Sequence, residues 1–132
     1  MRVSNDIETA LYKLLISEGI SASAHAVPMW LGEAFPHVHV VRTGGYTSGL
    51  VVEDNNVDFD VYAADQADAM TAASNLCALV RSIAGTDLGG VPCYTSEVTT
   101  LPYNNPDPRH PTIGRATFKA LIAIRVRSES NA

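Results

Sequence analysis

Seven consecutive residues limit the fold of this chain more than any others: Val57, Phe59, Val61 and Ala63 alternate with Asp58, Asp60 and Tyr62. Side chains along an extended strand point to opposite faces in turn, so this stretch lays an apolar face on a core and presents an acidic face on its other side. The same period returns from Arg115 to Arg127. There Ala116, Phe118, Ala120, Ile122, Ile124 and Val126 share one face, with Lys119, Arg125 and Arg127 on the other. Two strands of this kind predict a sheet with one covered face and one polar face.

Two helical stripes can supply the cover. Ile7, Ala10, Leu11, Leu14 and Leu15 follow helical spacing, with Glu8, Thr9, Lys13 and Ser17 opposite, which predicts a helix over Asn5 to Glu18. Ser4 or Asn5 is expected to cap it, Asp6 and Glu8 favour its positive end, and Gly19 stops it. Ala69, Ala73, Leu76, Val80 and Ile83, flanked by Met70 and Cys77, predict a second helix over Ala64 to Ala84 with Asp65 as its N-cap.

The remaining segments read as strands and loops. Ser21 to Pro36 predicts one short strand and a loop containing Trp30. His37 to Arg42 is rich in strand formers and ends at Gly44-Gly45, and a second run starts at Leu50, so a hairpin is expected with a glycine-rich tip. Asp54-Asn55-Asn56 is expected to turn or bulge the chain. Pro92 to Leu101 predicts a strand, followed by a loop dominated by Pro102, Pro106, Pro108 and Pro111, with Tyr103, Asn104 and Asn105 in it. The expected architecture is a single α+β domain over residues 1–132: a mostly antiparallel sheet with two helices on one face, in the order α-β-β-β-α-β-β.

Composition narrows the function. The 132 residues carry 9 Lys and Arg against 14 Asp and Glu, and charged residues make up 17% where about 25% is ordinary. An acidic chain short of charge does not grip duplex DNA, which needs clustered outward Lys and Arg, and its low surface charge is consistent with coverage by partners. No apolar stretch approaches the roughly 20 residues of a membrane span, so a soluble, unsecreted chain is expected. Cys77 and Cys93 lack metal-type spacing and read as small core residues.

Charge is also unevenly distributed. Glu53, Asp54, Asp58, Asp60, Asp65 and Asp68 form a block without a Lys or Arg, whereas Arg109, Arg115, Lys119, Arg125 and Arg127 occur in a stretch without an acid. Such regions complement each other either across strands of one subunit or between subunits, where a head-to-tail contact closes into a ring. His37 and His39 point the same way on a strand, as do Asp58 and Asp60, which leaves a His/carboxylate metal site of a small hydrolase as an alternative. Thr43 to Gly49 lacks the Lys and the following helix of a phosphate loop, and neither Ser48 nor Ser96 sits in a nucleophile elbow.

The order of elements resembles the tail terminator (tail-completion, minor tail) proteins of long-tailed bacteriophages. The features that carry the resemblance are the helix Asp6 to Ser17, the Pro-preceded segment Pro36 to Val41, Gly44-Gly45, the alternating run Val57 to Ala63, the Ala-rich helix Ala67 to Ala84, and a Pro-rich loop with Arg109 and Arg115 leading to Arg125-Val126-Arg127. The resemblance covers nearly the whole chain. It implies a structural protein of the virion, not an enzyme and without a cofactor: one subunit of a hexameric ring at the head-proximal end of the tail tube. Its partners would be further copies of itself, the tail tube protein and the head-tail connector protein, with DNA passing through the ring as cargo and no membrane involved. A neck connector of related architecture is the nearest alternative. Subunit contacts are then expected at Asp58, Asp60, Arg109, Arg115, Lys119, Arg125 and Arg127, and tube or neck contacts at Gly44, Gly45, Tyr46, Tyr103, Asn104 and Asn105.

Overall fold

The alternating run is the middle of β4 (Val52–Ala63), which pairs antiparallel with β7 (Gly114–Arg125) in an unbroken ladder from Val52 opposite Arg125 to Ala63 opposite Gly114. Around this pair, in a computed structural model describing residues 2–27, 34–49 and 51–128, six strands lie in the order β2-β3-β4-β7-β6-β5. They are β2 (Ser21–Ala24), β3 (His37–Ser48), β4, β5 (Asp87–Leu88), β6 (Val91–Asn104) and β7. Only β2, which runs parallel to β3, breaks the antiparallel pattern. A separate short pair joins β1 (Arg2–Val3) to β8 (Arg127–Ser128). The α+β class, the mostly antiparallel sheet and the element order follow the expectation.

Both helices, α1 (Ile7–Ser17) and α2 (Gln66–Ser82), bury their predicted stripes against the same sheet face. Ile7, Ala10, Leu11 and Leu15 from α1, and Ala69, Ala73, Leu76, Cys77 and Val80 from α2, meet Val38, Val40, Val57, Phe59, Val61, Ala116, Phe118, Ala120 and Ile122. Phe59 and Phe118, opposite each other in the central ladder, stack with ring centroids 4.8 Å apart. Small residues on α2 let it lie close to the sheet. At Gly114 the approach is so close that a Cβ would fall 2.3 Å from the Asp65 carbonyl group at the helix start. Cys77 and Cys93 are both free and buried, and burial pushes the Cys93 thiol up to about 11.

The differences from expectation are local. Asp6, not Ser4 or Asn5, caps α1: its carboxylate accepts from the Thr9 N–H and hydroxyl, while Ser4 and Asn5 bond instead to Glu53 and to the Arg125 carbonyl. Gly44-Gly45 does not end β3. The ladder with β4 absorbs an irregularity between Arg42 and Gly44 and runs on to Ser48, because the backbones approach so closely that a Cβ at Gly45 would sit 2.0 Å from the Asp54 carbonyl oxygen. The hairpin therefore turns at Gly49. Asp54-Asn55-Asn56 stays in register with β7, since pairing on both sides overrides the turn preference of these residues. Pro102, Tyr103 and Asn104 belong to β6, where register irregularities accommodate the proline. Trp30 and Leu50 lie outside the described residues.

Truncating Phe59 to Ala removes the stacked ring from the centre of the core, and urea titration should record a loss of about 3–5 kcal/mol.

Candidate functional site

Alternation along β4 and β7 puts Asp54, Asp58, Asp60 and Tyr62 with Arg115, Thr117, Lys119 and Arg125 on the sheet face that carries no helix. A polar layer crosses this face. Lys119 donates to both oxygens of Asp58 at 3.0 and 3.1 Å, and that bond is the main reason its ammonium is held above the ordinary lysine value. Next to it, Asn105 donates to the Thr117 hydroxyl at 3.0 Å, and Thr117 donates to Asp60 at 2.7 Å.

At one end of the layer the proline-rich loop is fastened to the sheet. Tyr62, fully buried, donates its hydroxyl to Asp107 at 3.1 Å, and His110 packs edge-on to its ring. Arg115 lies over the same ring, approaches Asp107 to 3.5 Å and donates to the Asn105 carbonyl at 2.6 Å. Burial pushes the Asp107 carboxyl up, but the Arg109 N–H, the Tyr62 hydroxyl and Arg115 outweigh it and hold it below the usual carboxylate value.

At the other side β2 and β3 are joined through side chains. Ser21 and Ser23 bracket His37 at 2.7 and 2.9 Å, and Ser23 also bonds His39 at 2.8 Å. Burial is the leading cause that lowers both imidazoles below the ordinary 6.5, reinforced at His37 by its neighbour and opposed at His39 by Asp60 and Glu8. His37, His39, Asp58 and Asp60 are not gathered into one site. Among the described residues no group of three or more His, Cys, Asp or Glu side chains is arranged to hold a metal ion.

The residues expected at subunit contacts therefore separate. Asp58 pairs with Lys119 within the chain, Asp60 is taken up by Thr117, and Arg115, 14% exposed, serves the loop anchor. Arg109 is 81% exposed beside Asp107, Arg125 is exposed at the end of β7, and Arg127 lies in β8. Of the expected contact loops, Gly44, Gly45 and Tyr46 sit on β3 near the hairpin end, while Tyr103 and Asn104 lie on β6; Asn105 follows it directly. Sequence reasoning missed Asp107, Ser21 and Ser23, whose roles rest on Tyr62, 45 positions from Asp107, and on His37, 14 positions from Ser23. Tyr62, standing alone among acids on an alternating strand, was the available signal for the first of them. Among the described residues no helix is long and apolar enough to cross a membrane.

Replacing Asp107 with Ala leaves Tyr62 and Arg115 without their shared acceptor and should cost about 2 kcal/mol in chemical denaturation. The histidines give a pH signature. Their folded values lie below the unfolded value of 6.5, so the stability they contribute is complete above that pH and falls as the pH drops below it, when the unfolded chain takes up protons that the folded one refuses. The urea midpoint should decline from pH 7.5 to 5, and less so in His37→Gln. No protein-family model matches the chain, and no curated protein matches it.

Proposed function

We propose that this chain is a structural virion protein of the tail terminator kind, forming a closed ring at the head-proximal end of a phage tail tube. The observation that carries the reading is the element order, with both helices on one face of the sheet and a polar face opposite. This is the order in which the chain resembles those proteins, and it leaves one broad face of the subunit without a covering helix.

The polar layer suits such a place. Its acids are in part neutralised within the subunit, by Lys119 at Asp58 and by Arg115 and Arg109 at Asp107, while Asp54 bonds only neutral Ser48 among the described residues. A wall with this residual negative charge lets DNA pass without adhering to it. In this reading the ring ends tube growth and offers its other side to the head-tail connector. A protein of the neck built on related architecture would share the ring but not the tube end.

Native mass spectra of the purified chain, alone and mixed with separately prepared tail tubes, should show closed rings of six, and electron images should place the protein at one tube end. Rings that bind the connector and ignore tubes would move the protein to the neck. A monomer under all of these conditions would overturn the proposal.

A further inference from the structure

The sheet has two outer edges that are only partly covered. On β3 the pairing with β2 stops at Val40, and the Arg42 N–H is taken by the Glu8 carboxylate at 3.0 Å. On β6 the pairing with β5 stops at Pro92, and the Cys93 N–H and carbonyl are taken by Thr86 and Gly85. Among the described residues no strand pairs with the outer side of Thr43 to Ser48 or of Tyr94 to Asn104. Soluble proteins usually protect such edges with lysine, proline or a covering segment. Neither stretch contains a lysine, the single proline, Pro102, stands near the far end of β6, and the irregularities of β6 flank a regular run from Thr95 to Val98.

The exposed apolar side chains gather at the same two places. Of the seven large hydrophobic residues exposed among those described, Tyr46 and Val51 lie at the β3–β4 hairpin end, and Tyr94, Leu101 and Tyr103 lie on β6. Tyr46 is 57% exposed and Leu101 66%. Aromatic and apolar residues beside an open edge are the usual anchors of a protein interface. The two edges also differ in formal charge: Glu97 is the one charged residue from Tyr94 to Asn104, and Arg42 stands at the start of the β3 edge.

The geometry makes these edges fit each other. β3, β4, β7 and β6 alternate in direction, so a second copy placed beside the first in the same orientation brings its β3 antiparallel to β6, the more stable kind of pairing. The open parts are also level. Tyr46 is opposite Asp54, Asp54 opposite Ala123 and Ala123 opposite Thr95, so Tyr46 and Thr95 lie on one line across the sheet and point to one face. Gly44 and Glu97 are aligned in the same way through Asn56 and Leu121.

We propose that copies of this chain join by sheet extension, the open Thr43–Tyr46 edge of β3 in one copy pairing antiparallel with the Thr95–Val98 edge of β6 in the next. The contact is head-to-tail, so each copy keeps a free edge of either kind until the ring closes. The inference rests on the ring reading above and supplies its subunit contact. It makes no use of Asp58 and Lys119, which pair with each other within the chain.

The test uses the full chain carrying Tyr46→Cys or Thr95→Cys, both at exposed positions, with Glu97→Cys as a second partner if the register is staggered by two residues. Mild oxidation of an equimolar Tyr46→Cys and Thr95→Cys mixture should give a covalent dimer, the double variant should give a series of larger multimers, and each single variant alone should give neither. If the unmodified protein assembles but neither Thr95→Cys nor Glu97→Cys couples to Tyr46→Cys, the edge pairing is overturned and the ring reading stands. Coupling of Tyr46→Cys to itself would also overturn it, by showing a β3-to-β3 contact. Open filaments that carry the Tyr46–Thr95 bond would support the edge pairing and overturn the terminator reading. A protein that stays monomeric with and without tubes would overturn both.

Discussion

The ladder between β4 and β7 is the constraint on which the rest of the molecule depends. It fixes which face each residue of the two central strands shows, and it stacks Phe59 on Phe118 at the middle of the core. A slip of β4 by one residue would send Asp58 and Asp60 under the helices and expel Phe59 from its stack on Phe118, so the register is held by the whole hydrophobic layer and not by any single contact. Because the register holds, the opposite face is also determined: Asp58 meets Lys119, Asp60 meets Thr117 and Tyr62 meets Arg115.

That face explains why charge in this sequence says less about partners than its distribution suggests. A block of acids and a block of bases far apart in the chain look like two halves of a contact between subunits. Folding brings the central parts of the two blocks onto neighbouring strands, where Lys119 pairs with Asp58, while Arg115 turns instead to Asp107 of the proline-rich loop, with Tyr62 beneath it. What is left for other molecules is less charged and more aromatic, and it lies at the sheet margins.

The class of fold was legible because periodicity is a local property. The stripes of α1 and α2 and the alternation of β4 and β7 are readable without knowing what they touch, and each proved to face the core. Turn preferences misled where strand pairing outweighed them: on both sides at Asp54-Asn55-Asn56, and on one side at Gly44-Gly45 and around Pro102. The α1 cap was misplaced by one residue, since three neighbouring polar side chains are equally able to cap and only the tertiary partners of Ser4 and Asn5 single out Asp6. The polar layer was beyond reach for the opposite reason. Ser23 and Asp107 carry no pattern of their own, and their importance arises wholly from what the fold sets beside them.

The sheet has a further consequence for how the chain reaches its structure. β3 with β4, and β6 with β7, are hairpins of neighbouring segments, whereas β4 and β7 are separated by α2, β5 and β6. Loop closure favours the two hairpins forming first and docking afterwards along their inner edges. Until that docking, each half displays a strand whose complement exists in every other copy. Refolding at high concentration thus sets one copy's β7 against another's for the same β4, and an exchange of halves between molecules would rebuild the core with the native contacts in the wrong chains.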